Sequence, residues 1–403
     1  MKIALVHDYL NQVGGGERVL DELMLMFPQA QIYTLMYDSD KTMKHYDGRI
    51  AKTSFLDFQF ARDHHRLFIP FMPMAIRGIQ IPNDVDLIIS DSAGFGKGIK
   101  YNKKTTKHLC YIHTPLRYAW ETKNYFPAGK QILSLSRLKN LSLRILGAPA
   151  FWFVRWFDYW SAQQPNRLVA NSEYIADKVK KYYGRLAEVV YPPVSDFWFS
   201  TPSASSRLKA DRSSYYLAAG RLLHYKRFDL IIEAFAELKF PLKIAGTGPE
   251  LSSLKLISSQ LGAPVEFLGF VKGDDELREL YQNAKAFIMA NEEDFGLVTA
   301  EAQACGTPVI AYGRGGSLEI INKLGIKNKE AGDGPRVITS ELERSTPTGI
   351  FFNEQTPEAL VAAVKKIEVL EFDREKISDI ARQFNIENFK NGVNDAVQKL
   401  LGE

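Results

Sequence analysis

The sequence predicts an α/β fold made of two successive units, each built around a parallel sheet. Short apolar runs that suit buried strands alternate with amphipathic segments that suit helices along most of the chain. Glycine turns follow several of these runs, as at 14–16, 220 and 246–248. A polar segment at 200–214 separates two series of predicted strands and helices that are similar in size. We therefore expect a ligand at the carboxyl ends of the strands, in a cleft between the units.

Length and composition are those of an ordinary globular protein with two or three domains. The 403 residues carry a formal net charge of +4, which is too small to indicate nucleic-acid binding. Apolar runs long enough for a membrane-spanning helix do not occur. The N-terminal MKIALVHDYL lacks a small-residue cleavage site, so it predicts a first strand and not a signal peptide. Cys110 and Cys305 lie in apolar runs, and we expect buried thiols in a reducing cytoplasm.

The first unit, 1–198, is expected to begin with a strand at 2–7, a glycine turn and a helix at 17–27. This geometry can hold a phosphate, although the fingerprint G-x-G-x-x-G is missing and a simple tight turn is the alternative. A later helix is predicted from the N-cap Ser172 to Tyr183. Further strands are predicted at 31–37, 85–90, 108–113, 167–171 and 189–194.

The second unit, 199–381, is expected to repeat the pattern. The polar segment 322–346 predicts an exposed insertion, and the last helix, 382–403, is expected to cross back onto the first unit. Its strands are predicted at 215–219, 242–245, 265–268, 286–290, 309–312 and 348–352, with helices at 226–238 and 297–305.

The most informative stretch, 285–312, places two carboxylates around the start of a helix. Glu293 lies in the loop before the helix, and Glu301 lies about one turn inside it. Because a helix rises ~1.5 Å per residue, the two carboxylates can lie on the order of 10 Å apart at one mouth. The amides from Gly296 onward would form an anion site between them. One element could thus hold a ribose, a diphosphate and a sugar; a helix cap and a surface glutamate are the alternatives.

Several motifs resemble those of the family 4 retaining glycosyltransferases. From Glu293, the order E-x-F-G-L-x-x-x-E-A-x-A-x-G-x-P-V-I resembles the donor-site signature of that family, and G-R-L-x-x-x-K-R-F-D from Gly220 is also close to its pattern. The runs H-D-Y-L-x-x-x-G-G-G-E-R-V-L from His7 and H-T-P-x-R-Y-A-W from His113 are similar to its WbaZ-like mannosyltransferases. The resemblance covers nearly the whole chain and implies the GT-B fold, in which two Rossmann-like domains face each other across a cleft.

The resemblance implies retaining transfer of a sugar, mannose from GDP-mannose, to a lipid-linked or oligosaccharide acceptor in cell-surface polysaccharide biosynthesis. It implies no cofactor and no metal, because the nucleotide sugar is itself the substrate. A UDP-sugar donor or a GT-B sugar-nucleotide epimerase is the alternative. A nicotinamide-dependent oxidoreductase would need the fingerprint that is missing, and an inactive sugar-binding module would not need the charged residues of the motifs.

The resemblance also assigns roles to residues. Glu293 would hold sugar hydroxyls and Glu301 the ribose, while fixed cations would stabilise the charge that develops on the diphosphate. An exposed charge pair and a structural histidine are the alternatives for the cations and for His113. The predicted catalytic residues are His113, Arg221, Lys226 and Glu293; the donor-binding residues are Gly15, Gly16, Gly246, Gly248, Phe270, Phe295, Gly296, Leu297, Val298 and Glu301; the acceptor-binding residues are Asp8, Tyr9 and Arg117.

Two stretches, 55–79 and 130–161, mix basic residues with aromatic and apolar ones. Such a composition suits the surface of an anionic bilayer, where a lipid-diphosphate-linked glycan acceptor would lie. Packing in the core of the first unit is the alternative. We expect a cytoplasmic protein, peripheral on the inner face of the cell membrane, with no nucleic-acid partner.

Overall fold

The computed structural model describes residues 1–12, 14–42, 44–121, 151–199, 215–321 and 347–402. It divides into two compact units: unit 1 contains Met1–Pro193 and Glu387–Glu403, and unit 2 contains Val194–Ile386. The boundary predicted after residue 198 lies a few residues further along the chain. The predicted linker at 200–214 and the predicted insertion at 322–346 lie outside the described residues, as does most of the stretch 130–161.

The described part of unit 1 contains one parallel sheet. Its strands are β1 (Ile3–His7), β2 (Gln31–Thr34), β3 (Ile50–Lys52), β4 (Leu87–Ser92), β5 (Lys107–Ile112), β6 (Arg167–Ala170) and β7 (Glu188–Val189). They pair in the order β3-β2-β1-β4-β5-β6-β7. All six residues of β4 are buried, as expected for a central strand of a parallel sheet. The order reverses between β1 and β4, where ligands bind in sheets of this type.

The labelled helices of unit 1 are α1 (Gly15–Met26), α2 (Gln59–Asp63), α3 (Met72–Arg77), α4 (Arg117–Trp120) and α5 (Glu173–Tyr183). Residues 151–162 are helical as well. The predicted N-cap of α5 is confirmed, because Ser172 Oγ accepts the N–H of Ile175 at 3.1 Å. This bond satisfies one amide of the first turn, where the helix itself provides no acceptor.

The C-terminal helix, Ile386–Gly402, belongs to unit 1 through its apolar face. Phe389 and Val393 are buried in one cluster with Leu5 of β1 and Leu109 of β5. A Cβ on Gly392 would lie 2.9 Å from the methyl carbons of Val190, so the helix approaches closely there because it has no side chain. The helix begins later than predicted, since 382–384 form a 3₁₀ turn.

A buried ion pair fastens the helical segment 151–162 within unit 1. Lys97 Nζ lies 2.6 Å from Asp158 Oδ1, and both side chains are 1% exposed. The second oxygen of Asp158 accepts from Trp120 Nε1 and from Tyr183 OH, each at 2.7 Å. The Lys97 ammonium also donates to a backbone carbonyl of the loop after β4. Both charges are thus hydrogen-bonded, as buried charges require.

The described part of unit 2 contains a second parallel sheet. Its strands are β8 (Tyr216–Ala219), β9 (Leu242–Ala245), β10 (Val265–Gly269), β11 (Phe287–Met289), β12 (Val309–Tyr312) and β13 (Gly349–Phe352). They pair in the order β10-β9-β8-β11-β12-β13, which places the switch point between β8 and β11. The predicted fold class, two units with parallel sheets, is confirmed.

Helices cover the sheet of unit 2 and complete its core. Leu230 and Phe235 of the first helix are fully buried in one cluster with Ile244 and Ile288 of the strands. That helix begins at Phe228, two residues later than predicted, because 224–226 form a 3₁₀ turn. The helices are α6 (Phe228–Leu238), α7 (Leu251–Leu261), α8 (Asp274–Asn283), α9 (Leu297–Ala304), α10 (Ser317–Ile320), α11 (Pro357–Ile367) and α12 (Arg374–Ala381).

Cys110 and Cys305 are free and buried, as predicted. Burial raises the pKa of the Cys110 thiol to about 12. Across the described residues, no helix combines the length and the apolar character that crossing a bilayer demands.

Candidate functional site

The predicted anion site of unit 2 lies at the carboxyl end of β11, beside the switch point of the sheet. Gly296 precedes α9 with a φ of +99°, a conformation that favours glycine. Its carbonyl accepts the N–H groups of Thr299 and Ala300 at 2.8 and 3.2 Å. The amides of Leu297 and Val298 come before the first intrahelical bond, so the helix supplies no acceptor for them. Such amides bind anions.

Glu293 and Lys226, two of the predicted catalytic residues, lie together in this part of unit 2. Lys226 Nζ forms an ion pair with Glu293 Oε1, and the two side chains are 16% and 14% exposed. Asn291 Nδ2 donates to the same oxygen at 2.9 Å. The carboxylate is therefore oriented by two donors that come from different loops. The pair is largely shielded from water, so its electrostatic interactions are stronger than those of an exposed pair.

A glycine turn after β12 fixes the backbone of the acidic loop. Gly316 N donates to the carbonyl of Glu293 at 2.9 Å. A Cβ on Gly315 would overlap that carbonyl, and a Cβ on Gly316 would overlap the backbone of Phe295. Both positions therefore require glycine, because two backbone segments touch there.

Glu301 and Phe295 are both buried. Glu301 lies inside α9 with 1% of its surface exposed, so the alternative of a surface glutamate is wrong. The ring of Phe295 packs edge-on against Phe384, with centroids 5.3 Å apart. Phe295 is thus a core residue that anchors the loop, and its contact with a donor stays a prediction.

The other predicted donor residues follow β8, β9 and β10. Arg221 is exposed just after β8, and Phe270 is 72% exposed just after β10. Gly246, with a φ of +136°, and Gly248 follow β9. A Cβ on either would overlap carbonyls of the loop after β8. These backbone contacts account for both glycines without a ligand, so their contact with a nucleotide stays a prediction.

In unit 1, one buried carboxylate joins two histidines at the carboxyl edge of the sheet. His7 Nδ1 donates to Asp91 Oδ2 at 2.9 Å, and His113 Nε2 donates to Asp91 Oδ1. The three residues come from β1, β4 and the end of β5, which are neighbours in the sheet. The Asp91 side chain is 0% exposed. His113 was predicted; His7 and Asp91 were missed, although a charged residue in the apolar run IISDS was a usable signal.

The charges in this cluster stabilise one another. Burial alone would raise the pKa of Asp91, but the adjacent His113 and His7 outweigh it and lower that pKa to about 2. Burial likewise opposes the charge on His7, yet the bonds to Asp91 and Glu17 raise its pKa to about 10. The pKa of His113 is also raised, because Asp91 outweighs burial. The His7 imidazole is therefore protonated at neutral pH, and the raised pKa of His113 favours its protonated, hydrogen-bond-donating form.

The glycine turn and α1 lie beside these histidines. A Cβ on Gly16 would be 3.6 Å from His113 Nε2, and the helix begins at Gly15. Both predicted glycines are thus in the first turn of α1, whose amides have no intrahelical acceptor. Glu17, which sequence reasoning missed, is buried in the same turn with Oε1 3.8 Å from His7 Nε2.

The three residues predicted to bind the acceptor have different surroundings. Asp8 is buried and accepts from Ser92 Oγ at 2.9 Å and from two backbone amides of the loop after β4 at 2.6 and 2.7 Å. Its carboxylate thus holds that loop in place. Tyr9 packs on the ring of His65 with centroids 5.1 Å apart, and Arg117 begins α4. Their contact with an acceptor stays a prediction.

Two family profiles match the chain one after the other. Residues 13–196 match the profile described as Glycosyltransferase Family 4, and residues 202–384 match Glycosyl transferases group 1. The chain belongs to the family 4 glycosyltransferases. The family predicted from the motifs is therefore confirmed, whereas neither profile singles out the WbaZ-like mannosyltransferases.

Curated proteins similar to this family 4 glycosyltransferase match over part of their length. The uncharacterized glycosyltransferase MJ1607 of Methanocaldococcus jannaschii is 38% identical over 118 residues, which are 28% of this chain and 30% of the relative. A D-inositol 3-phosphate glycosyltransferase of Geodermatophilus obscurus is 30% identical over 236 residues, which are 50% of this chain and 52% of the relative. The matched part thus spans about a third to a half of these relatives.

Solved structures match over nearly the whole chain. Anabaena Alr3699/HepE in complex with UDP gives a TM-score of 0.65 at 17% identity, with 99% of this chain and 100% of that chain covered. The apo lipopolysaccharide outer core galactosyltransferase WaaB gives a TM-score of 0.60 at 17% identity, with 99% of each chain covered. At these identities the similarity shows the fold alone, and it confirms the predicted GT-B fold.

Proposed function

We propose that this family 4 glycosyltransferase is a retaining hexosyltransferase that uses a nucleotide diphosphate sugar. The observation that carries the proposal is the Glu293–Lys226 pair beside the first amides of α9. When the nucleotide leaves, negative charge develops on its phosphates. A fixed ammonium and oriented amides stabilise that charge without rearrangement. Arg221, at the end of the adjacent strand β8, adds a second cation.

The carboxylates would hold the sugar and the ribose. Glu293, oriented by Asn291 and Lys226, would accept from sugar hydroxyls, and the buried Glu301 would accept from the ribose hydroxyls. The donor-side contacts would be completed by Phe270 and by the backbone from Phe295 to Val298. His113 would donate a hydrogen bond to the sugar, as the family resemblance implies. Its raised pKa favours the protonated form that donates over the neutral form that a general base needs.

In the proposed step the acceptor oxygen attacks the anomeric carbon on the face that the leaving group occupies. The bond from that carbon to the phosphate oxygen breaks as the bond to the acceptor oxygen forms. The acceptor proton passes to an oxygen of the departing diphosphate, so charge and atoms balance. No protein nucleophile is needed, and the anomeric configuration is retained.

We infer mannose from GDP-mannose as the donor, because the motifs from His7 and His113 are similar to those of WbaZ-like mannosyltransferases. A UDP-sugar is the second candidate, since the structurally similar Anabaena protein was solved with UDP and with UDP-glucose. Thermal stabilisation by a panel of nucleotide sugars distinguishes the two. GDP-mannose should raise the Tm, and NMR of the product should show the donor's anomeric configuration. Stabilisation by UDP-sugars but not by GDP-mannose would overturn the choice of donor.

We propose a lipid-diphosphate-linked acceptor, made accessible by attachment of unit 1 to the inner face of the cell membrane. The support is an exposed apolar surface on α3 and the helical segment 151–162. Trp152 is 69%, Met74 54% and Trp156 48% exposed, whereas Val154 and Phe157 face the core. A groove of about 250 Å³ joins the two elements, and the Arg77 guanidinium lies 5.2 Å from the Trp160 ring centroid. Aromatic and basic groups together suit an anionic interface.

Co-sedimentation with phosphatidylglycerol vesicles tests the attachment. The protein should bind them more strongly than phosphatidylcholine vesicles, and binding should weaken as salt rises. Trp152→Glu with Trp156→Glu should abolish binding. Leu186→Glu, which changes a residue of unit 1 that is 79% exposed elsewhere, is the matched control and should bind normally. Equal binding by both variants would contradict the attachment surface.

A further inference from the structure

We propose that His7 is a positioning residue for the transfer reaction: through the carboxylate of Asp91, it fixes the orientation of His113. The inference rests on the proposed function, in which His113 donates a hydrogen bond to the transferring sugar. His7 itself is only 6% exposed, and it is linked to His113 only through its hydrogen bond to Asp91. It is therefore a residue that acts through others.

The first argument is that two hydrogen bonds prevent the Asp91 carboxylate from rotating. Each carboxylate oxygen accepts from one imidazole, Oδ2 from His7 and Oδ1 from His113. With Asp91 0% exposed, water cannot replace either donor. A rotation of the carboxylate that released His7 would therefore also move the oxygen that holds His113.

The second argument is that His7 is itself held from the other side. Its Nε2 faces Glu17 Oε1 at 3.8 Å, and Glu17 is 5% exposed in the first turn of α1. The order Glu17, His7, Asp91, His113 alternates negative and positive charge across four elements, namely α1, β1, β4 and the end of β5. Removing the positive charge of His7 leaves the buried carboxylates of Glu17 and Asp91 without the cation that lies between them, which is costly in a shielded site.

The charged and titratable groups around His113 come from β4, from β1 and the residue after it, and from β5. Asp91 attracts its positive charge, His7 repels it, and Asp8 attracts it more weakly. The Tyr111 ring lies edge-on to it at 5.3 Å between centroids. Because of these contacts, two substitutions should shift the pKa of His113 in opposite directions. Loss of the carboxylate in Asp91→Asn should lower the pKa of His113, whereas loss of the cation in His7→Asn should raise it.

The test is an NMR titration of histidine Cε1–H in the full chain, with the His113 signal assigned by its absence in His113→Gln. The titration needs no turnover. If no nucleotide sugar serves as a donor, the proposed function fails, but the titration still tests the link between His7 and His113. Asn keeps an amide donor near the position of Nδ1, so His7→Asn should fold. His108→Asn is the control, because His108 is buried in the same sheet but bonds to Ser90 at 2.8 Å and not to Asp91.

Kinetics provide the second readout. His7→Leu should lower kcat by about 100-fold with little change in the KM of the donor, since misplacing one reacting group by about 1 Å costs that much. His7→Asn should restore kcat to within about tenfold of the natural protein and move the alkaline limb of the pH profile upward. An unchanged or lowered pKa of His113 in His7→Asn, or the same shift in His108→Asn, would overturn the proposal.

Discussion

The paired charges of unit 1 predict that the free energy of unfolding falls as pH rises above neutral. In the unfolded chain His7 loses its proton near its ordinary pKa of 6.5, whereas in the folded chain its pKa is about 10. A folded state that binds more protons than the unfolded state is destabilised by rising pH. The stability that His7 contributes is therefore complete below pH 6.5 and is lost as pH approaches 10. The raised pKa of His113 acts in the same direction.

The size of the effect follows from the number of protons involved. Each histidine that stays protonated in the folded state contributes a slope of about 1.4 kcal/mol per pH unit. His7, with a folded pKa of about 10, should contribute a slope of up to about 1.4 kcal/mol per pH unit above pH 6.5, and His7→Asn should reduce the total slope by that amount. The slope should be measured only up to about pH 8. Above that pH the cysteine thiols of the unfolded chain, with pKa values of about 8.5, ionise and add to the slope.

The assay is hydrogen exchange at the amides of β1 and β4, which reports the opening of unit 1 by itself. Measurements from pH 6.5 to about 8 cover the range in which the unfolded histidines titrate. His108→Asn should keep the full slope, because burial lowers the pKa of His108 to about 3 and it stays neutral throughout. A flat or rising stability, or an undiminished slope in His7→Asn, would refute the assigned charges.

Three further predictions concern other elements. Lys226→Ala should lower the single-turnover transfer rate by about 10²–10³-fold, the cost of losing one preorganised hydrogen-bond donor. Lys285→Ala, which removes a partly exposed ion pair with Glu368, is the control and should leave the rate unchanged. Gly316→Ala should lower the free energy of unfolding by more than about 3 kcal/mol, since the clash is with backbone, whereas Gly262→Ala, strained but in open space, should cost about 1–2 kcal/mol in urea denaturation. Lys97→Met should cost about 3–5 kcal/mol, because the Asp158 carboxylate would stay buried without its cation. Lys2→Met, in the exposed pair with Asp84, is the control and should leave the free energy of unfolding nearly unchanged.

The acidic loop of unit 2 could be predicted because its parts are contiguous. Glu293, Gly296 and Glu301 lie within one strand-loop-helix segment, so their spacing along the chain fixes their spacing in space. The same holds for Ser172, whose bond spans three residues. Local geometry of this kind follows from helix and turn rules without knowledge of the tertiary fold.

The histidine cluster of unit 1 could not be predicted in the same way. His7 and Asp91 are 84 residues apart and meet only through the pairing of β1 with β4. A sequence pattern predicts that two strands exist, but the partner and register depend on the whole sheet. The packing of Phe295 against Phe384 is likewise a tertiary contact that no local pattern predicts, and the contact of Phe295 with the donor stays a prediction.

The ion pair between Lys97 and Asp158 has a consequence for the aromatic helix that carries Asp158. Because the segment 151–162 is fixed at this point, we expect Trp152 and Trp156 to stay exposed in solution. The protein therefore keeps an exposed apolar surface, and we expect it to self-associate reversibly at high concentration. Mild detergent, by coating these indoles, should return them to single molecules.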